Sequence, residues 1–370
     1  MMRARAMLRA AVLGLGVAAS AWGGAVEVQV ENPPGTGAVV ALLFDGAAAF
    51  ADLRDPLRTL RLPAGGGGPV RFEELAAGSY AVLVFHDENG NGELDGNFLG
   101  IPREPLGFSN RYWGKGAPVF ADAAVAVGAG ERVPVAVELK EIFGRRGLIG
   151  AGIGAIAQSS PYRGTESARV QAIPAVTYIG ERLQVLGPYA QAGLASGKGM
   201  RLAATARYRL GAYEEDDSAF LEGMGDRKDS LFCGLALQGQ LPAGIRASAG
   251  YEHDVLDRVG GGYGRLGVRR GWQLGRTAVA PQVAVNWLSA ELAGHEYGVA
   301  AEEARAGRAE YRPGDAINFE TGLGLSAEVG GSWRVIVNGS VEVLADALRE
   351  SPLVDERTVF HGFAAVNYTF

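Results

Sequence analysis

The segment HDENGNGELDGNF, at positions 86–98, has the spacing of a calcium-binding loop. Oxygen-bearing side chains recur at alternating positions of a tight turn, an arrangement that suits a hard cation: Asp87, Asn89, Asn91 and Asp95. Gly92 stands where such loops turn sharply, the backbone carbonyl of Glu93 is a further candidate ligand, and Phe98 replaces the glutamate of the twelfth position. The spacing predicts a Ca²⁺ site; the alternative is an Asx-rich hairpin loop that satisfies its own backbone.

Charged residues alternate with apolar ones in long strand-like segments of the C-terminal part, so they share one face of each strand. The face predicted to line a barrel lumen carries both signs of charge: Arg201, Arg207, Arg209, Arg246, Arg265, Arg269, Arg334, Glu252, Glu320, Glu328 and Glu342. In one interpretation these charges pair and block a narrow lumen, because buried charges must be matched. In the other, an arginine-rich wall lines a pore that favours anions. The presence of both signs in a small barrel favours pairing.

Hydrolytic chemistry has weaker support in the sequence. Ser230, Glu252, His253 and Asp254 lie near one another in or beside a predicted outer loop. No GxSxG, HExxH, CxxC or phosphate-cradling motif accompanies them. The sequence therefore predicts that the protein is not an enzyme, with an outer-membrane hydrolase as the third-ranked function.

The elements that carry the charged face are predicted to be strands of a membrane barrel. The apolar faces extend over about 9 to 13 residues, the length that crosses a bilayer at a tilt. No segment after the N-terminus has about 18 unbroken apolar residues, so a transmembrane helix is not expected. Short turns alternate with long polar loops, which predicts an even-stranded antiparallel barrel. The count is about twelve if LQVLGPYAQAGLAS is a hairpin that turns at Gly187-Pro188, and ten is the alternative if it is one strand.

The chain ends on the segment GFAAVNYTF, with Tyr368 and Phe370 on its apolar face. Bacterial outer-membrane barrels commonly finish on an aromatic residue. We therefore predict that Tyr368 and Phe370 form the signal recognised by the barrel-assembly machinery.

The N-terminal part differs in composition from the barrel segment. Residues 1–25 have the positive, apolar and small-residue regions of a signal peptide, with cleavage after Ala21 or Ala25. Residues 26–140 contain short strand-like segments separated by Gly, Pro and Asp, which predicts a small antiparallel β-sandwich. Residues 141–146 are the predicted linker, and residues 147–370 the barrel. The fold class is therefore all-β, with a periplasmic sandwich followed by a transmembrane barrel.

Short segments in both parts resemble known families. SPYRG, EYGV, EYRPGD, ESPLV and the closing NYTF, in that order, resemble the MipA/OmpV family of outer-membrane proteins; Glu350 stands where we expect Asp. The resemblance implies an outer-membrane location, and the family is named for a member that bridges a murein transglycosylase and a murein synthase. Other members are treated as porin-like or adhesive. DENGNGELD, GIPREPLGFSN and PVFADAAVAV resemble small secreted bacterial domains of unassigned function, and FEELAAGSYAVLVF resembles prealbumin-like sandwiches.

With a net charge of −6, the chain lacks the overall basic charge that is typical of a nucleic-acid-binding domain. The sequence and the resemblance together predict a non-catalytic scaffold in the outer membrane, with lipid and murein-processing enzymes as partners. A channel for small solutes is the alternative.

Overall fold

The computed structural model describes residues 23–65, 68–113, 117–142, 147–165, 168–197 and 199–370. Most of the predicted signal peptide and of the predicted linker lies outside these residues. In the part described, the chain forms strands, four short α-helices and short 3₁₀ turns. None of the helices in the described residues combines the length and the apolar character of a membrane-spanning helix.

The N-terminal unit contains eight strands and two short helices. They are β1 (Gly24–Val30), β2 (Ala38–Phe44), α1 (Ala47–Asp52), β3 (Arg58–Pro63), β4 (Val70–Leu75), β5 (Gly78–Asp87), β6 (Leu106–Phe108), α2 (Phe120–Ala123), β7 (Val125–Val127) and β8 (Arg132–Val137). One sheet has the order β4-β1-β8, and the other has the order β3-β2-β5-β6 with β7 also paired to β5.

Alternation of apolar residues explains how these two sheets pack. Val26 and Val28 of β1 are fully buried in the same cluster as Leu43 of β2 and Val82 of β5. Because successive side chains of a strand point to opposite faces, the other face of β2 needs separate cover. Phe50 of α1 provides it by packing against the remaining faces of β2 and β5.

The C-terminal unit is a single closed antiparallel sheet. Its elements are β9 (Leu148–Gln158), β10 (Arg169–Pro174), β11 (Thr177–Ile179), β12 (Leu183–Leu186), β13 (Tyr189–Gly197), β14 (Met200–Arg209), β15 (Ser230–Gln240), β16 (Ile245–Asp254), β17 (Gly262–Arg270), β18 (Trp272–Leu274), β19 (Thr277–Leu288), α3 (Ala290–Tyr297), β20 (Ala316–Gly330), β21 (Trp333–Val343), α4 (Asp346–Arg349) and β22 (Thr358–Thr369). β10 and β11 form one interrupted wall strand, as do β17 and β18, and β22 pairs with β9. The barrel therefore has twelve strands, as the sequence predicts.

The predicted hairpin at Gly187-Pro188 is confirmed. Leu186 pairs with Tyr189, and Gly187 has a φ of +56°, which glycine adopts without steric cost. The alternative of ten strands, which required one continuous strand here, is wrong.

This hairpin is short, so it leaves part of the wall unpaired. Among the described pairings, β10 contacts only β9. A cavity of 170 Å³ lies beside β10, at the long-loop end of the barrel. Arg169 crosses this gap, donating to the Gly211 carbonyl at 3.1 Å and to Glu214 at 2.9 Å.

The two faces of the wall differ as predicted. Large apolar side chains on the outer face are exposed, such as Ile153 at 67%, Phe319 at 62% and Phe360 at 57%. On the inner face, Asn318, next to Phe319, and its cross-strand partner Asn286 are each only 1% exposed. The barrel therefore presents an apolar band outward and a polar lining inward.

Candidate functional site: the barrel lumen and its two ends

A hydrogen-bonded network crosses one side of the lumen. The Arg265 guanidinium contacts Glu320 of β20, and Asn286 of β19 donates to Glu320 at 3.0 Å and to Glu342 at 2.9 Å. His361 of β22 lies with its Nε2 3.1 Å from the other Glu342 oxygen. Charge and hydrogen-bond partners are thus matched across five neighbouring strands, which a buried carboxylate requires. The sequence alone does not identify Asn286 and His361 as members of this network. Alternation along a strand shows which face a residue occupies, whereas the register between strands decides which residues it contacts.

Three further predicted arginines also have acidic partners. Arg207 donates to Glu252 at 2.8 Å, and Arg334 donates to Glu328 at 2.9 Å. Arg209 makes a bidentate pair with Glu296, at 2.7 and 3.0 Å. Glu296 was missed because it belongs to α3, which folds from a long loop into the mouth of the barrel.

The remaining three predicted arginines form no such pairs. Arg201, Arg246 and Arg269 make no hydrogen bond and no ion pair with any residue that the structure describes. Arg246 and Arg269 lie directly opposite each other on β16 and β17, and both side chains are exposed within the lumen. One part of the lumen therefore contains arginines paired with carboxylates. Another part contains arginines that have no acidic partner among the described residues.

The N-terminal unit covers the short-turn end of the barrel. Asn97 donates from its side chain to the Gly180 carbonyl at 2.9 Å, and the Phe98 N–H donates to the Glu181 carbonyl at 3.0 Å. The Phe98 ring then enters the lumen beside β13, where a Cβ on Gly193 would lie only 2.3 Å from the ring. Phe98 is 9% exposed. The residue that breaks the calcium-loop motif thus contacts the barrel wall.

The candidate calcium-loop residues come together, but through hydrogen bonds. The amide nitrogens of Asn89 and Asn91 both contact the Asp95 carboxylate. Asp87 accepts from the N–H groups of Gly90 and Gly92 and pairs with Arg61 at 2.9 Å. In the described residues no group of three or more His, Cys, Asp or Glu is placed to hold a metal. Glu93 contributes its N–H to the Asn91 side chain at 2.7 Å.

Glu104 organises this loop, and the sequence analysis did not identify it. Its two carboxylate oxygens accept from the N–H groups of Glu88 and Asp95, at 3.1 and 3.0 Å. The side chain is 5% exposed, and this burial, with the nearby carboxylates of Asp95 and Asp87, raises the pKa of Glu104. Glu104 therefore joins the two ends of the loop that carries Phe98.

The long-loop end is covered by a packed cluster of loop residues. Tyr162 pairs with Val354 and stacks on Tyr297 with ring centroids 5.9 Å apart. Ser351 donates to the Tyr297 carbonyl at 2.6 Å, and Tyr311 donates to the Ala347 carbonyl at 2.8 Å. Segments that lie far apart in the sequence, SPYRG, EYGV, EYRPGD and ESPLV, thus meet in one cluster, which we call the loop cap.

Buried polar groups hold the loop cap together. Arg308 is 2% exposed and donates to the Glu303 and Glu222 carbonyls at 2.8 and 3.2 Å. Arg227 donates to the His295 carbonyl at 2.7 Å and stacks on the Tyr213 ring. Burial raises the pKa of Tyr213 to about 12. Burial beside Arg227 lowers the pKa of His295.

The residues considered for hydrolysis do not assemble. Ser230 donates to Asp254, whereas His253 lies on the opposite face of β16, where its Nδ1 is 3.1 Å from the Tyr251 hydroxyl. Because neighbouring strand residues point to opposite faces, His253 does not reach Ser230.

The C-terminus completes the wall. Tyr368 packs edge-on against Trp333 and against Phe370, with ring centroids 5.1 and 5.2 Å apart. The Phe370 N–H donates to the Ile149 carbonyl at 3.0 Å, so the last residue is joined to the first barrel strand.

The family model described as "MltA-interacting protein MipA" matches residues 151–370, which is more than half of the chain and covers nearly the whole barrel. This protein belongs to the MipA family. A second model, described as an uncharacterized protein conserved in bacteria (DUF2141), matches residues 28–134 of the N-terminal unit.

Of two relatives of this MipA-family protein, one is named as an outer membrane protein. The outer membrane protein YiaT of Escherichia coli K12 is 26% identical over 223 residues, covering 59% of this chain and 89% of the relative. The MltA-interacting protein of the same strain is 26% identical over 211 residues, covering 56% of this chain and 84% of the relative. Among solved structures, a loop-deleted form of OmpT from Vibrio cholerae is 7% identical, covers 94% of this chain and 97% of that chain, and has a TM-score of 0.25. The protein is located in the outer membrane.

Proposed function

We propose that this protein is a non-catalytic anchor that holds its N-terminal unit at the periplasmic face of the outer membrane, where the unit engages a murein-processing enzyme. Its relative's name, MltA-interacting protein, supports a murein transglycosylase as the class of partner. The two sheets that share one core support the predicted β-sandwich for this unit.

The observation that carries the proposal is the docking of the N-terminal unit on the short-turn end of the barrel. Short turns of outer-membrane barrels face the periplasm. Arg54, Asn97, Phe98 and Arg103 of the N-terminal unit all contact the barrel at this end. The unit is therefore positioned next to the membrane surface, and its remaining faces are available to a partner.

A non-catalytic role is supported by the separation of Ser230 from His253. In the described residues the buried carboxylates of the lumen are engaged by arginine, asparagine or histidine, so they lack the freedom of a general acid or base.

We also propose that the 87–95 loop binds Ca²⁺. The convergence of the Asn89, Asn91 and Asp95 side chains in one turn supports this, since carboxylate and amide oxygens are the ligands that Ca²⁺ takes. The Arg61 guanidinium competes for Asp87. Calorimetric titration of the full chain should give a binding heat that strengthens in Arg61→Gln and disappears in Asp95→Asn. The absence of heat in the wild type and in Arg61→Gln would remove the ion from the proposal.

The anchor proposal can be tested by photo-cross-linking in intact cells. A photoreactive residue is placed at the exposed positions Glu73 or Arg132 of the N-terminal unit. A matched control carries it at exposed Glu302 in the loop cap. The N-terminal positions should capture a murein transglycosylase and the control should not. Capture of no murein enzyme from either N-terminal position would contradict the proposal.

The alternative is a channel for small solutes, and the exposed basic side chains of Arg246 and Arg269 favour it. Covers at both ends of the barrel argue against steady conduction. Planar-bilayer recordings that show stable anion-selective openings of the wild type would support the channel over a closed anchor.

A further inference from the structure

We propose that Arg201, Arg246 and Arg269 of the barrel, together with Arg54 of the N-terminal unit, form a binding site for a small oxyanion that carries two or more phosphate or carboxylate groups. The site lies where the lumen meets the N-terminal unit. It is independent of the anchor role, since it concerns a small ligand rather than a protein partner.

The three lumen arginines are neighbours on the inner wall. Arg246 and Arg269 are direct cross-strand partners on β16 and β17. Arg201 lies on β14 opposite Gln238 of β15, and Arg246 lies opposite Gln240 of the same strand. Gln238 and Gln240 are two residues apart on β15, so Arg201 and Arg246 lie on the same inner face of strands that flank β15. The basic groups therefore surround one region of the lumen.

Arg54 brings the N-terminal unit into the same region. Its guanidinium donates to the Gln240 side chain at 2.7 Å, and Gln240 lies directly opposite Arg246. Arg201 also contacts the N-terminal loop, because a Cβ on Gly100 would lie 2.6 Å from its Nη2. The two units thus contribute to one basic pocket.

The charge of this pocket is not balanced by the protein. Arg207, Arg209, Arg265 and Arg334 each have a carboxylate partner in the lumen, whereas Arg201, Arg246 and Arg269 have no partner among the described residues. Among the described acidic residues at this end, Glu181 pairs with Arg103 and Glu328 pairs with Arg334, and Asp52, near Gly244, forms no ion pair with these three arginines. Like charges directly opposite on paired strands are destabilising. A bound anion relieves that repulsion.

The donor chemistry indicates the ligand class. Guanidinium groups present planar forks that match carboxylate and phosphate oxygens in bidentate pairs. The amides of Gln240 and of Gln282, which lies opposite Arg269, supply further donors or acceptors beside them. Because several arginines share the site, an anion with more than one acidic group engages them together. Arg246 and Arg269 are exposed and have no acidic partner among the described residues, so their guanidinium donors are open to an anion.

The test uses the full chain, purified and folded in detergent micelles, at low ionic strength. Inorganic pyrophosphate and citrate serve as separate calorimetric probes, one for phosphate and one for carboxylate. The Arg246→Gln/Arg269→Gln variant should bind at least about tenfold more weakly, because it removes two charge-assisted contacts. Arg334→Gln is the matched control, since Arg334 lines the same lumen but pairs with Glu328.

Heat-modified mobility on gels verifies that each variant has folded. Arg201→Lys provides a milder second test, because it keeps the positive charge of the side chain but loses the planar guanidinium. Binding of either probe that weakens in the double variant, with the control changed by less than about threefold, supports the site and identifies its preferred acid group. Absence of binding by the wild type to both probes overturns the proposal. An equal loss in Arg334→Gln also overturns it, because the effect is then diffuse electrostatics.

Discussion

Replacing Phe98 with alanine should release the N-terminal unit from the barrel without unfolding either unit. The ring is 9% exposed because it enters the lumen beside Gly193, and the surrounding contacts are backbone and side-chain hydrogen bonds to the turn at Gly180 and Glu181. An undocked unit would expose this ring to water. The substitution therefore acts mainly on the docking equilibrium.

The expected magnitude follows from the burial of one phenylalanine. Burying such a side chain contributes roughly 1.5–3 kcal/mol, and truncation of packed aromatic residues costs about 3–5 kcal/mol. The docking equilibrium should weaken by about 2–3 kcal/mol, which corresponds to about 30- to 150-fold. Gly193→Ala should have a similar effect from the other side, because its Cβ would lie 2.3 Å from the ring and the backbone of Gly193 is not in the left-handed region.

Amide hydrogen exchange of residue 98 measures this equilibrium, since its N–H bonds to the Glu181 carbonyl across the interface. Protection should fall by the factor given above in Phe98→Ala and in Gly193→Ala, and the double variant should be little worse than either alone, because both remove one contact. Arg103→Gln is the control on the same loop. Its exposed ion pair with Glu181 contributes at most about 1 kcal/mol, so protection should fall less than about tenfold. If the two interface variants keep wild-type protection while the protein remains folded, Phe98 does not hold the units together.

Three further outcomes are expected. Deleting Phe370 should lower the amount of heat-modifiable barrel in outer-membrane fractions, whereas Phe370→Tyr should not, because it keeps a terminal aromatic ring; equal barrel levels in all three proteins would exclude an assembly role. Mass spectrometry of the mature chain should place signal cleavage after Ala21, because β1 begins at Gly24 and cleavage after Ala25 would shorten it; a chain starting beyond Ala25 would contradict this. Since the pKa of His295 is lowered below the 6.5 of the unfolded chain, its contribution to loop-cap stability is present above that pH and is lost as the pH falls through the folded value. Protease cleavage of the long loops should therefore rise between pH 7.5 and 5.5 and do so less in His295→Gln, and pH-independent cleavage of the wild type would contradict this.

The faces and number of the barrel strands could be predicted because they depend on local periodicity. Phe319 and Phe360 point outward, and Glu320 and His361 point inward, as alternation along each strand requires. The hairpin at Gly187 could be predicted because it depends on local turn residues. The interruption of the wall beside β10 was not predicted, since it depends on the length of a neighbouring strand rather than on the residues of β10 itself.

The partners of the charged residues could not be read from the sequence. Alternation places Arg209 in the lumen, but its carboxylate comes from α3, in a loop more than eighty residues away. Register decides that Arg246 faces Arg269 rather than a glutamate. The calcium-loop spacing predicts a ligand at position 98, and the contact of Phe98 with Gly193 leaves no sign in the sequence, because Gly193 has no side chain to show a matching pattern.

The loop from Asp87 to Glu104 links the candidate cation site to the closure of the barrel. The carboxylates of Asp87, Asp95 and Glu104 lie together at one end of the loop, which we call the root. The Arg103 N–H donates to the Asp95 carbonyl at 2.8 Å, which joins the two sides of the loop as a hairpin stem. At its tip, the Asn97 side chain accepts from two backbone N–H groups at 2.9 and 3.0 Å, which fixes the turn that presents the adjacent aromatic ring. A loop ordered in this way loses little conformational freedom on docking, so most of the free energy from burying the Phe98 ring contributes to the interface. A Ca²⁺ ion bound at the root would order the stem further. In that case the affinity of the N-terminal unit for the barrel should increase when Ca²⁺ is added, whereas it should not change if the root binds no Ca²⁺.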